Sequence, residues 1–279
     1  QWPTPMPAPI VNIATLGAKP DNKTSNTAIF RAAVATIEKA GGGTLLVPEG
    51  TWLTGPFNLT SNMTLYLKAE ATIQGSTDMA EWPLMPAMKS YGQGRDHAGP
   101  RHISLLHGFN LQGLTIGGEN GTVDGGGPFW WARHRSGVEQ FTRGHLFECL
   151  YCEDLLFQDV TFTNSPFWTV HPVFSNNVVA RRLTVLNDHY SPNTDGFVSQ
   201  ARESQHDVMY QLPDAIGPDL LLTAVARGIH AGRIQTQRQT CSLRTASSRL
   251  AMTVWRSNQV GTVMEWIQAY HQRTYGLST

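Results

Sequence analysis

The residue best placed to do chemistry is Asp195, in the turn Ser191-Pro192-Asn193-Thr194-Asp195-Gly196. A carboxylate in a tight polar turn can act as a general acid or base. It can equally be an Asx-turn residue that accepts backbone N–H groups, and taken alone this is the plainer reading. His145, His171 and His189 flank the region, each read as a rim or core residue rather than a proton shuttle. His171, in Trp168-Thr169-Val170-His171-Pro172, is the best candidate for a groove contact. A calcium site needs several oxygen ligands. Asp188 with Asp195 is too thin a cluster, so neither metal nor cofactor is expected. Cys149 and Cys152 form a C-x-x-C, but a redox or zinc site needs a βαβ context or a second ligand pair. Residues three apart on a strand point to opposite faces, so the two are expected as separate buried core cysteines.

The elements that must position these groups read as short strands. Ile10–Ile13 opens the chain, and Ser25 or Asn26 then caps a helix running to about Lys39. Its expected buried face is Ile29, Ala32, Ala33, Thr36 and Ile37, and Gly41-Gly42-Gly43 ends it. A short amphipathic helix leading into strands would cap the open end of a larger β structure. Strands follow at Thr44–Val47, Thr51–Leu53, Met63–Leu67 and Thr72–Gln74, separated by Gly, Pro, Asn and Ser turns. The pattern apolar-Thr-apolar recurs at Leu114-Thr115-Ile116, Val160-Thr161-Phe162 and Leu183-Thr184-Val185, with intervals of 46 and 23 residues. A period of 23 without an internal helix suits one turn of a parallel β-helix. Between repeats, adjacent Trp130 and Trp131 read either as core or rim aromatics beside turns or as a groove wall, at most one of them facing a groove.

Composition narrows the classes. The 279 residues carry formal net charge zero, which gives no sign of a nucleic-acid partner. No run of about eighteen apolar residues exists, so no membrane partner is expected. The first residues lack the basic and apolar regions of a signal peptide. Sequons at Asn22, Asn58, Asn62 and Asn120 favour a secreted glycoprotein.

Several motifs together resemble one family. They are Gly41-Gly42-Gly43-Thr44 with Val47-Pro48-Glu49-Gly50, Gly121-Thr122-Val123-Asp124-Gly125, Asn164-Ser165-Pro166-Phe167-Trp168 and Ser191–Gly196. In that order they resemble the plant-type polygalacturonase-like proteins of glycoside hydrolase family 28, over about residues 10–197. The resemblance implies an all-β, right-handed parallel β-helix, secretion to the cell wall, and inverting hydrolysis of the galacturonan of pectin. It implies Asp195 as a catalytic carboxylate and Asn193 as a substrate-binding residue that orders the turn.

Inverting hydrolysis needs two carboxyl groups about 6.5–9.5 Å apart. The family pattern supplies a Gly-Asp-Asp after Asn-Thr-Asp, and then Gly-His-Gly and Arg-Ile-Lys. No Asp-Asp follows Asp195 here, and Gly228–Gly232 with Arg233-Ile234-Gln235 only superficially match the last two. From Val198 the strand texture stops, so the β-helix is expected to be incomplete at its C-terminal end, with an aberrant, poorly ordered tail at 198–279. The codons of Ala251-Met252-Thr253, read two bases on, permit Asp-Asp. Residues 198–232 are therefore expected to be a translated intron, with 233–279 out of frame.

These readings lead to a glycosidase of polygalacturonase type, inactive as this chain, whose partner is pectic polysaccharide. The alternatives are a non-catalytic carbohydrate-binding β-helix and, more weakly, a pectate-lyase-like enzyme.

Overall fold

In the computed structural model, which describes residues 6–87, 96–198 and 208–211, the short apolar runs become parallel strands stacked rung on rung. Three ladders of inward side chains fill the solenoid. Leu45, Leu65, Ile116, Phe157 and Ala180 form the first. Trp52, Ile73, Val123, Phe162 and Val185 form the second. Phe57, Leu106, Phe147, Val170 and Phe197 form the third. All but Val185 are buried, and each large apolar side chain so buried contributes about 1.5–3 kcal/mol.

The corners are as regular as the ladders. Tyr151 and Phe174, Asp154 and Asn177, and Asp159 and Arg182 are pairs at positive φ, each pair 23 residues apart. These bends let the 11-residue strands Glu153–Thr163 and Asn176–Leu186 pass from one face of the solenoid to the next. Arg182 ties its corner to the one below, donating from Nη2 to Asp159 Oδ2 at 2.7 Å.

Helix α1 (Thr27–Lys39) covers the N-terminal opening, as expected, with Phe30 stacked on Phe57 at a centroid distance of 4.8 Å. Its buried face differs from the expected one. Phe30, Ala33, Val34 and Ile37 are buried, while Ala32 and Thr36 are exposed. The larger Phe30 and Val34 side chains turn the helix towards the core. Asn26 is its N-cap by position, but its side chain instead bonds Lys19, Thr24 and Leu53.

Three further expectations are corrected. The interval of 46 residues is not two turns: Leu114-Thr115-Ile116 pairs directly with Leu155-Leu156-Phe157, a rung of 41 residues. That rung is lengthened by an insertion containing helix α2 (Gly127–Arg135), started by Pro128. The period of 23 holds from strand Glu153–Thr163 to strand Asn176–Leu186. Trp130 and Trp131 lie on α2 and both are buried, which bears out the core reading and overturns the groove-wall one. Cys149 and Cys152 are joined in a disulfide. The strand-alternation argument fails because Tyr151, at φ 57°, turns the corner between them.

Beyond Val198, the strand Val208–Gln211 pairs in parallel with Val178–Arg181, where the sequence texture led us to expect no strand. The rest of the segment 199–279, with the expected disorder and the Gly228–Gln235 motifs, lies outside the described residues.

Candidate active site

The third ladder belongs to a sheet formed by Phe57–Asn58, Leu106–Phe109, Phe147–Leu150 and Val170–Val173, continued by a bridge from Val170 to Phe197. Its outer face carries two rows of polar and aromatic side chains. In the first, the parallel register places His145, Trp168 and Asp195 on successive rungs. The Leu146 N–H donates to Trp168 O, and the Thr169 N–H donates to Asp195 O at 2.9 Å. The rings of His145 and Trp168 lie parallel, 5.3 Å apart. Asp195 therefore heads a row of polar and aromatic groups and is half-buried.

The turn that carries Asp195 is built in layers. The Asp188 carboxylate accepts from the Tyr190 N–H at 2.7 Å, an Asx turn, so it is engaged in shaping the loop. Asn193 takes φ 56°, a left-handed conformation that asparagine tolerates better than most residues. Asn187 Nδ2 donates to Thr194 O and to Thr169 Oγ1, both at 2.9 Å, and its Oδ1 accepts from the Ser165 N–H. Arg143, fully buried, reaches the same turn from below. Nη1 donates to Pro192 O at 3.0 Å and to Pro166 O at 2.7 Å, and Nη2 donates to Asn193 Oδ1 at 3.3 Å.

The motifs scattered along the sequence meet here. Asn164 Nδ2 donates to Asp124 Oδ2 at 2.7 Å, joining the Asn-Ser-Pro turn to Gly121–Gly125. A Cβ on Gly125 would lie 2.6 Å from Asn164 O, so only glycine fits between them.

The second row is His107, Glu148 and His171, in register on three rungs. It is buried. Arg101 donates to both Glu148 oxygens at 2.8 Å, and His171 Nδ1 donates to Glu148 Oε1 at 3.0 Å. His145 Nε2 lies 3.3 Å from the same oxygen. This corrects the expectation for His171. It is 1% exposed, with its imidazole drawn onto Glu148 instead of facing a groove. Burial holds the His145 pKa down at about 3, and it lowers those of His107 and His171. Burial alone would raise that of Glu148. The donors from His145 and His171 and the charge of Arg101 outweigh it, so Glu148 stays ionised well below the usual carboxylate range.

His145, Glu148 and His171 offer three ligand atoms within 4.8 Å of one another. Both carboxylate oxygens already accept from Arg101, so the charge a cation would supply is in place. His189 is exposed, set edge-on to Tyr190. Sequence reasoning missed Arg143, Asn187, Arg101 and Glu148, because their partners lie 7 to 50 residues away along the chain. The one local signal was Arg143-Gly144-His145-Leu146-Phe147-Glu148, a cluster of charge leading into an apolar strand.

Comparison with known proteins decides the family. The model of glycosyl hydrolases family 28 matches residues 39–206, more than half of the chain. The chain belongs to glycosyl hydrolase family 28. A "Probable polygalacturonase" of Vitis vinifera is 43% identical to this family 28 chain over 188 residues, 66% of the chain and 38% of that protein. An "Exopolygalacturonase" of Zea mays is 28% identical over 195 residues, 66% of this chain and 42% of its own. The chain thus spans about two fifths of the length of these relatives. Among solved structures, the family 28 exopolygalacturonase of Yersinia enterocolitica superposes with a TM-score of 0.60 at 21% identity. That match covers 72% of this chain and 42% of the other. The hyperthermoactive exopolygalacturonase of Thermotoga maritima gives a TM-score of 0.58 at 23% identity, covering 74% and 53%. These likenesses support the right-handed parallel β-helix.

Proposed function

We propose that this chain is a pectin-directed β-helix of polygalacturonase type, binding galacturonan through the Asp195 turn without hydrolysing it. The observation that carries the reading is the placement of Asp195. A buried arginine and Asn187 hold its turn against the outer face of the sheet, beside Trp168, within a chain that belongs to a glycosidase family. Asp195 stands where the family resemblance implies a catalytic carboxylate, and Asn193, exposed on the same turn, contacts the sugar.

Hydrolysis with inversion requires a second carboxyl group about 6.5–9.5 Å from the first. Among the described residues, Glu148 is held by Arg101, Asp96 by Arg143, Asp124 by Asn164 and Asp188 by the Tyr190 N–H. No Asp-Asp follows Asp195 in the sequence. A reading of 198–232 as retained intron accounts for this, and the codons at 251–253 in genomic DNA and spliced transcript test it. Codons that cannot yield Asp-Asp two bases on would sink it.

Secretion and glycosylation complete the proposal, since Asn22, Asn58, Asn62 and Asn120 are all exposed. Titration of trigalacturonate into the protein and its Asn193→Ala variant tests the binding reading. Binding that falls at least about tenfold in the variant supports it. Absence of binding by the natural chain would refute it.

A further inference from the structure

Resting on that reading, we propose that Arg143 is a positioning residue for the Asp195 turn, the group that sets where Asn193 and Asp195 stand on the sheet. Its guanidinium is inaccessible to solvent, so it acts on the sugar only through other residues. Each of its bonds goes to an irregular segment. Nε and Nη2 donate to the Asp96 carboxylate at 2.7 and 3.2 Å. Nη1 is shared between Pro166 O and Pro192 O, and Nη2 also reaches Asn193 Oδ1. The ring of Phe167 lies 4.9 Å from its centre, which fixes the plane of the fork.

Three loops from different parts of the chain thus converge on one rigid cation. The Asn-Ser-Pro turn is the rung below, and the Asp195 turn is the rung above. Asp96 supplies the countercharge that makes burial of the cation tolerable. Proline carbonyls are suited to this task, because they present an oxygen without a competing N–H of their own. Lysine could keep the Asp96 pair, but as a point charge it cannot span all three loops.

The turn docks on the sheet through Thr169 N–H to Asp195 O and Val170 N–H to Gly196 O. Those two amides therefore report its seating. One rung below, the Phe147 N–H, bonded to Thr169 O at 2.9 Å, reports the scaffold.

Hydrogen exchange on the natural chain, on R143K and on the charge-neutral double variant R143Q/D96N tests the proposal. The double variant leaves no uncompensated buried charge, so it keeps the fold if lysine does not. Expected is exchange faster by about ten- to a hundredfold at Thr169 and Val170, the loss of one or two charge-assisted bonds, with Phe147 unchanged. Trigalacturonate affinity should fall by about tenfold in the same variants. Unchanged protection at Thr169 and Val170 in both variants would overturn the proposal. So would an equal acceleration at Phe147, which would mark a merely structural arginine. So too would unchanged sugar affinity in variants whose turn has loosened. A natural chain that binds no sugar would instead overturn the functional reading, while the exchange pattern still decides whether Arg143 seats the turn.

Discussion

Arg101 grips Glu148 through both carboxylate oxygens, at 2.8 Å each, on the outer face of the sheet that leads to Asp195. Neither residue is visible to solvent to any useful degree, at 4% and 0% exposure. A buried ion pair is costly to halve, because the remaining charge has lost its counterion. Glu148→Ala should therefore cost about 3–5 kcal/mol, measured by denaturant unfolding. The double variant Arg101→Met with Glu148→Leu should recover only part of that loss, because the buried His171 loses its acceptor. A single variant as stable as the natural chain would show that the pair is not closed as described.

The three histidines around Glu148 predict how stability responds to acid. Burial lowers the pKa of His145 to about 3, and those of His107 and His171 fall as well. In the unfolded chain a histidine titrates near its ordinary value of about 6.5. Between these values the unfolded state holds more protons, so stability is full at neutral pH and falls as pH drops below about 6.5. Each histidine contributes a slope of up to about 1.4 kcal/mol per pH unit. Glu148, with its pKa lowered, adds a loss below the ordinary carboxylate range. His145→Gln should flatten the pH dependence of Tm between pH 6 and 4, a range of about two pH units. An equally steep profile would contradict the burial of His145.

The Cys149–Cys152 disulfide closes the corner at Tyr151. Loops this short gain about 2 kcal/mol from cross-linking in the chain-entropy view. Cys149→Ser with Cys152→Ser should lower stability by about that amount, and mass spectrometry of the unreduced protein should find the pair joined. Two free thiols at these positions in freshly purified, unreduced protein would contradict it.

Particular residues show how much of this was legible in the sequence. The strands could be read because short apolar runs such as Thr44–Val47 and Met63–Leu67 are bounded by Gly, Pro, Asn and Ser turns. The spacing of 23 was visible where two rungs repeat without interruption, from Glu153–Thr163 to Asn176–Leu186. It misled where α2 interrupts the pattern, since a chance multiple of the period stood in for a longer rung. The Asp195 turn was legible because its own residues shape it. Its supports were not, because Arg143 meets Pro192 across 49 residues and Arg101 meets Glu148 across 47. His171 illustrates the same limit. Its position on the outer face was foreseeable, and the buried carboxylate that draws it in was not.

The proposal that this family 28 chain binds galacturonan at its Asp195 turn without hydrolysing it can be tested on the purified protein. The most direct measurement is reducing-end release from polygalacturonate by the purified natural chain, run beside Asp195→Asn. Neither protein should release reducing ends above a blank. Release by the natural chain that disappears in the Asp195→Asn variant would contradict the proposal, and would mean that a second carboxyl group completes the site.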